Sequence, residues 1–218
     1  MRALEHTRKA FALLPPVDRP RILDIGCGQG LQTMELARLG GGEVVGIDID
    51  ETALAYFKTR LAQSDVRSRV TVRRCSLFDS GLPDGSFNIL WEEGVLHLLE
   101  PAKSFAACSR LLVPGGFLVM HETLEWFEAA SQRLPEWGLV FLDRHLLPRH
   151  FWWTEYGAAL ESRVQTIRKS HGDAARSPEL TRYADEAAII KADPDHFDCG
   201  FFIFQKRRRG SCRCLLEI

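Results

Sequence analysis

Short apolar runs alternate with segments of helical periodicity along the first 121 residues of the chain. Five strands are predicted, at 22–25, 44–47, 70–76, 87–91 and 117–121, and the first two are expected to be buried. Between them, apolar residues recur at helical intervals over 31–39, 54–61 and 102–112. Strands that alternate with helices pair in parallel through right-handed crossovers. The pattern therefore predicts an α/β three-layer sandwich with a mostly parallel, twisted sheet.

The rest of the chain has a less regular pattern. A helix is expected over residues 3–14, because apolar residues recur there at helical intervals and Pro15-Pro16 would end it. Segment 122–149 is rich in aromatic residues and leucine without a clear period, so we expect short helices mixed with loops. The last predicted elements are two helices and a strand, at 156–167, 180–190 and 201–204.

The chain length of 218 residues suits one domain with a well-buried core. We interpret residues 1–206 as this domain and residues 207–218 as a basic tail. Within the domain, 20–121 is expected to form the core, and 122–206 the substrate-side cover and the last strand.

Composition and charge argue against several classes of binding partner. The net charge of −1 gives no general attraction to nucleic acid or to an anionic membrane. No apolar run reaches the ~20 residues that span a bilayer, and the charged start, Met1-Arg2-Ala3-Leu4-Glu5, differs from a secretory signal. The basic tail is expected to be a solvated terminus.

The six cysteines are scattered and fit neither a disulfide framework nor a Cys-x-x-Cys zinc pair. Cys212 and Cys214 form a close pair but have no other ligand-type residues near them in sequence. We therefore expect reduced thiols, a cytoplasmic location and no metal site.

The most informative segment is the turn after the first strand, which reads Asp24-Ile25-Gly26-Cys27-Gly28-Gln29-Gly30. Its glycines permit backbone conformations closed to other residues and let a ligand lie against the main chain. A dinucleotide-binding turn has Gly-x-Gly-x-x-Gly, whereas the third glycine here comes one residue earlier. Because the carboxylate of Asp24 would repel a phosphate, the turn favours a cationic or amine-bearing ligand.

This segment resembles the first motif of the class I S-adenosylmethionine (AdoMet) methyltransferases, an acid followed by x-Gly-x-Gly-x-Gly. The resemblance covers about residues 20–121 and implies a Rossmann-like fold with AdoMet as cofactor. It implies that the cofactor contacts Asp24, Gly26, Cys27, Gly28 and Gly30.

The resemblance also assigns the ends of the second and third strands. Asp48 matches the acid that binds the ribose hydroxyls, with Ile49 next to it, while Asp50 is expected to cap the following helix. The family usually has an acid for the adenine amino group after the third strand, but Ser76 stands there. We favour Ser76, the Leu77 backbone and the Phe78 ring as adenine contacts, with Asp79 as the alternative.

Candidate catalytic residues follow the fourth and fifth strands, which in the family lie beside the reactive methyl group. Glu92 and Glu93 are expected to hold a substrate ammonium group or to act as a general base. Glu92 is also expected to contact the cofactor. One of them is alternatively the cap of a helix that starts near Gly94. His121 is a second candidate base, and His97 is expected to be structural, one turn inside that helix.

We therefore predict an AdoMet-dependent methyltransferase that acts on a small molecule, through an amine or a hydroxyl group. The Asn/Asp-Pro-Pro-Tyr/Phe motif of many base and glutamine methyltransferases is absent after the fourth strand. Two alternatives stay open: an AdoMet-binding protein without turnover, and an NAD-dependent oxidoreductase on a similar sheet. The sequence gives no prediction of the oligomeric state.

Overall fold

A computed structural model describes residues 2–171 and 177–208 of the chain. Cys212 and Cys214, and all but the first two residues of the predicted basic tail, lie outside the described residues.

Seven strands form one sheet. In chain order they are β1 (Ile22–Ile25), β2 (Val44–Asp48), β3 (Val70–Arg74), β4 (Phe87–Glu93), β5 (Leu112–Thr123), β6 (Leu139–Leu146) and β7 (Cys199–Lys206). Their order across the sheet is β3-β2-β1-β4-β5-β7-β6. Strands β1 to β5 pair in parallel, whereas β7 runs antiparallel to both β5 and β6. The predicted α/β fold class with a mostly parallel sheet is confirmed.

Helices cover both faces of the sheet. They are α1 (Arg2–Ala12), α2 (Leu31–Gly40), α3 (Glu51–Ala62), α4 (Pro101–Leu111), α5 (Leu124–Ser131), α6 (Ala158–His171) and α7 (Pro178–Ala192). Successive strand residues belong to two separate apolar clusters: Ile22 is in the cluster that contains Leu36 and Phe57, whereas Leu23 is in the cluster that contains Phe105. This alternation follows from the period of two in a strand and produces the predicted three layers.

The structure corrects several element boundaries. Strand β3 ends at Arg74 and not at Ser76, and no α-helix starts near Gly94. A short 3-10 turn, Leu96–Leu98, occupies that place, and α4 begins only at Pro101, where the Glu100 carboxylate accepts the N–H groups of the first turn. His97 therefore lies in a tight turn and not inside an α-helix.

Segment 122–149 contains a strand that the sequence pattern did not predict. Strand β6 lies at the edge of the sheet and pairs along its length with β7. Its exposed Val140, Phe141 and Leu142 break the alternation of a half-buried strand. The pairing with β7 comes from a segment about 60 residues later, so local periodicity could not reveal it. Among the described residues, no helix has the length and apolar character required to cross a membrane.

Candidate active site

The glycine turn between β1 and α2 lies where the strand order reverses, between β1 and β4. Its three glycines have positive φ angles: 71° at Gly26, 48° at Gly28 and 77° at Gly30. The backbone N–H groups of Gly26 and Cys27 donate to the Ile47 carbonyl at 2.8 and 3.0 Å. These bonds fix the turn to the end of β2. In open α/β sheets, ligands bind at such a reversal point.

The glycines differ in what surrounds them. A Cβ atom on Gly26 would lie 2.2 Å from the Val95 side chain, and one on Gly30 would lie 2.0 Å from the Phe57 ring. A Cβ atom on Gly28 would meet no atom within 4 Å. Gly26 and Gly30 are therefore required by packing, whereas Gly28 faces open space at the ligand-binding side of the sheet.

Two acidic residues flank this turn in different ways. Asp24 is buried and accepts a hydrogen bond from the Thr33 hydroxyl at 2.5 Å, which ties β1 to α2. Burial raises the pKa of Asp24 to about 7. Asp48, at the end of β2, accepts hydrogen bonds from the backbone N–H groups of Gly28 at 2.7 Å and Asp50 at 2.9 Å. Its carboxylate is thus held beside the open face of the glycine turn.

Two residues directly follow Asp48 at the carboxyl end of β2. Ile49 is 71% exposed, and Asp50 caps α3 as predicted, because its carboxylate accepts the N–H groups of Thr52 and Ala53.

The end of β3 continues into a 3-10 turn over Leu77–Asp79. Ser76 caps it, since its hydroxyl accepts the Phe78 N–H at 3.2 Å. Leu77 is buried in the core beneath, whereas the Phe78 ring is 45% exposed and Asp79 is exposed. The structure therefore places one apolar ring and one hydroxyl at this strand end and no buried carboxylate.

Glu92 and Glu93 end β4 and face opposite sides of the sheet. Glu92 is fully buried, and its carboxylate accepts the N–H groups of Val95 and Leu96 at 3.0 and 3.3 Å. Its second oxygen has no hydrogen-bond partner among the described residues. Burial, followed by the nearby charge of Glu122, raises the pKa of Glu92.

Glu93 joins three elements. It accepts hydrogen bonds from the Thr7 hydroxyl and the Trp91 indole at 2.9 Å and from the Gln32 amide at 3.1 Å. Burial raises the pKa of Glu93. Because Thr7 is on α1 and Gln32 is on α2, Glu93 holds both helices against the end of β4.

A cavity of about 1600 Å³ lies beyond the ends of β4 and β5, under α7 and the π-helical turn Trp153–Gly157. The strand-end side of the cavity is lined by Glu93, Gly94, His97, His121, Glu122 and Thr123. Of the three predicted catalytic residues, Glu93 and His121 therefore line the cavity and Glu92 does not. Gln32 and Glu93 bring the cavity next to the start of α2, which directly follows the glycine turn.

His121 is buried in the wall of this cavity. Its ring stacks on Phe201 at a centroid distance of 4.6 Å, and its Nε2 atom has no partner in the described part of the chain. Burial lowers the pKa of His121 to about 4, so the imidazole is neutral near pH 7.

His97 and Glu122 form a pair that the sequence reading missed. The His97 Nδ1 atom lies 3.0 Å from one Glu122 oxygen, and the His97 backbone N–H donates to the other at 3.1 Å. Glu122 is buried, while the His97 side chain is 42% exposed. The carboxylate thus orients the imidazole. Their positions in the sequence could have indicated the pair, because both residues follow or end neighbouring parallel strands, β4 and β5, whose carboxyl ends lie at the same edge of the sheet.

Helix α1 also contributes to the site, which the sequence analysis did not predict. Thr7 binds Glu93, and the His6 Nδ1 atom lies 2.9 Å from the His145 Nε2 atom on β6. Both residues of α1 are buried. Polar side chains on the buried face of an amphipathic helix were the available signal.

Comparison with known proteins gives a family description for the core. Residues 23–120 match a family model described as "Methyltransferase domain". The chain is 30% identical over 150 residues to a 27-O-demethylrifamycin SV methyltransferase of Amycolatopsis mediterranei, covering 64% of this chain and 55% of that protein. It is 36% identical over 100 residues to a ubiquinone biosynthesis O-methyltransferase of Nitrosococcus oceani, covering 44% and 40%. The chain thus spans about half the length of these curated relatives.

A structural neighbour extends the likeness to most of the chain. The [4+2]-cyclase SpnF superposes with a TM-score of 0.79 over 93% of this chain and 80% of that chain, at 19% identity. At this identity the likeness concerns the fold alone.

Proposed function

We propose that this chain is a class I AdoMet-dependent methyltransferase that transfers the methyl group of AdoMet to a small-molecule acceptor. The observation that carries the proposal is one juxtaposition. A glycine turn with open space at Gly28 adjoins, through Gln32 and Glu93, a cavity whose wall carries an oriented imidazole.

The cofactor would lie along the carboxyl ends of β1, β2 and β3. Gly28 offers bare main chain, and Asp48 offers a carboxylate whose direction two backbone N–H groups fix, which suits the ribose hydroxyls. The exposed Ile49 and Phe78 lie just beyond the ends of β2 and β3, where adenine is expected, and Ser76 caps the turn that carries Phe78. Exposed apolar side chains and a nearby hydroxyl suit a flat aromatic base.

The remaining loop residues support the turn from behind. Gly26, Cys27 and Gly30 allow its tight course, and Asp24 acts through Thr33 on the start of α2. Glu92 binds the Val95 N–H, and the Val95 side chain packs where a Gly26 side chain would otherwise project. This arrangement favours a positioning role for Glu92 rather than direct cofactor contact.

When bound, AdoMet supplies an electrophilic methyl group for in-line displacement. The protein then has to align the acceptor and remove its proton. We assign proton removal to His97, because a proton on Nδ1 is held by Glu122 and leaves the Nε2 atom free to accept one. Glu93 and the neutral His121 line the same cavity and would orient the acceptor.

The cavity, together with a sequence that has no basic stripe outside the tail, favours a small-molecule acceptor over a nucleic acid. A hydroxyl or an amine fits a site whose base receives one proton, and both named relatives are methyltransferases, the second of them an O-methyltransferase.

The test is incubation of the protein with methyl-labelled AdoMet and a panel of phenols, alcohols and amines, with S-adenosylhomocysteine measured by mass spectrometry. Label should appear in an acceptor, and less product should form with Gly28→Ala at an AdoMet concentration that does not saturate the variant. If S-adenosylhomocysteine raises the melting temperature but no label moves, the chain binds the cofactor without methyl transfer. A shift with NAD alone would favour the oxidoreductase and contradict the proposal.

One observation bears on the alternative that the chain binds the cofactor without methyl transfer. The SpnF neighbour is named as a cyclase, so the fold alone does not define the reaction.

A further inference from the structure

We propose that the acceptor is an organic cation with an apolar body. Its ammonium group would be recognised by carboxylates and aromatic faces under α7. This inference rests on the proposed function, because it concerns the acceptor cavity of that same site. Four observations on the cavity wall support it.

The first observation is an aromatic corner on the π-helical turn. The Trp152 and Tyr156 rings stand at 89° to each other with centroids 5.7 Å apart, and both line the cavity. Glu155 lies between them in sequence and also lines it. The Tyr156 hydroxyl donates to Glu186 on α7 at 3.0 Å. Perpendicular aromatic faces with carboxylates beside them are the surroundings that an ammonium group prefers.

The second observation is the charge of the wall. Its acidic side chains are Glu93, Glu122, Glu125, Glu155, Asp185 and Glu186, against one guanidinium, that of Arg182. The whole chain has a net charge of only −1, so the excess of acid is local. A concave wall with an excess of one charge sign focuses its field on the space that it encloses.

The third observation is how these carboxylates are paired. Glu122 and Glu125 contact His97 and His196, at 3.0 and 2.7 Å. Asp185 has no hydrogen bond or ion pair to another part of the described chain, and it lies one turn from Ile189 on the cavity side of α7. Asp185 is therefore available to pair with a cation in the cavity.

The fourth observation is independent of the acidic residues. His121 is nine-tenths buried, lines the cavity and has an Nε2 atom without a partner among the described residues. Buried polar atoms are normally hydrogen-bonded, so this nitrogen points to a polar atom supplied by a ligand. Its low pKa keeps the ring neutral, and the pKa of His6 in the same wall is also lowered, chiefly by burial. Neither imidazole would repel a bound cation at neutral pH.

Apolar side chains line the part of the cavity that would hold the rest of the acceptor. Leu147, Phe151, Ile190 and Phe201 line the same space and are buried in the protein core. The cavity volume of about 1600 Å³ exceeds the ~300–1,000 Å³ of ordinary ligand pockets. The acceptor is therefore expected to combine an apolar body with its positive charge.

Three naphthalene probes that differ in charge test the inference: (2-naphthylmethyl)trimethylammonium, 2-naphthylmethanol and naphthalene-2-sulfonate. Each is titrated by calorimetry into full-length protein saturated with S-adenosylhomocysteine. We expect the cation to bind at least ~10-fold more tightly than the alcohol, and the sulfonate to bind more weakly than both. Saturation by S-adenosylhomocysteine is measured first, so a failure of the proposed function is seen separately.

Two variants link the preference to the wall. Glu155→Gln and Glu186→Gln should each lower cation affinity several-fold and leave alcohol affinity unchanged. Glu51→Gln is the matched control, because Glu51 pairs with Arg74 at 2.6 Å away from the cavity. Equal affinity for cation and alcohol, preference for the sulfonate, or no cation binding up to millimolar concentration would overturn the inference. So would variants that weaken cation and alcohol binding alike.

Discussion

Two glycines of the turn after β1 have opposite surroundings, and this difference allows a matched test of the cofactor site. A methyl group at Gly28 would project into open space, whereas one at Gly30 would lie within 2.0 to 2.3 Å of three carbon atoms of the Phe57 ring. Both glycines have positive φ angles, so both substitutions to alanine share the same backbone penalty. Only Gly30→Ala adds a collision with the core.

The expected magnitudes follow from these contacts. An L-residue in the left-handed region costs about 1–2 kcal/mol, which is the expected loss in the free energy of unfolding for Gly28→Ala. Gly30→Ala adds overpacking of about 1–3 kcal/mol against the fully buried Phe57, for a total of about 2–5 kcal/mol. Binding follows a different order, because the Gly28 methyl group occupies the space assigned to the cofactor.

Urea unfolding measures the stabilities, and calorimetric titration with S-adenosylhomocysteine measures binding. Gly28→Ala should fold and lose at least ~10-fold in affinity, which is about 1.4 kcal/mol. Gly30→Ala should be the less stable variant. Parental affinity in Gly28→Ala would refute the placement of the cofactor, and equal stability of the two variants would refute the packing argument.

Three further predictions address individual side chains. Asp48→Ala should weaken S-adenosylhomocysteine binding by about 1–3 kcal/mol, because a charged acceptor is lost; unchanged calorimetric affinity would contradict the ribose assignment. His97→Asn should lower kcat about 10²–10⁴-fold and leave cofactor affinity unchanged, and Glu122→Gln should lower kcat less; full turnover in His97→Asn would exclude it as the base. The folded state raises the pKa of Asp24 from 3.8 to about 7, so its stabilising contribution is complete below about pH 4 and is lost as pH rises to about 7. In Asp24→Asn that loss is absent, so its stability relative to the parent should rise between pH 4 and 7 in urea unfolding, and parallel pH curves would show that burial does not perturb this group.

Features that depend on local rules were predictable from sequence. The glycine turn and the Asp50 cap of α3 depend on residues within a few positions of each other. Strands β1, β2, β4 and β5 were predicted because they are largely buried on both faces and contain continuous apolar runs, whereas the edge strand β3 is mostly exposed and was predicted from Val70-Thr71-Val72. Their carboxyl ends then indicated where Asp48 and His121 would lie.

Features that depend on distant segments were not predictable in this way. The His97–Glu122 pair joins residues 25 positions apart, and it forms because a tight turn replaces the expected helix after β4. The contact of Thr7 with Glu93 spans 86 positions and depends on how α1 packs across the sheet. Periodicity reports which face of an element is buried, but not which distant side chain it meets.

The carboxyl groups at the ends of β1, β4 and β5 are costly for the fold, since burial raises the pKa of Asp24, Glu92, Glu93 and Glu122 alike. Well-packed apolar residues at such positions are often as stabilising or more so. The acids, however, bind several segments to the same edge of the sheet: α2, α1 and the turn after β4, which is held through its main chain and through the imidazole of His97. These bonds set the relative positions of the glycine turn and the cavity, which an apolar contact without direction would not fix. The arrangement therefore favours alignment of two ligands over maximal stability, as the proposed in-line transfer between them would require.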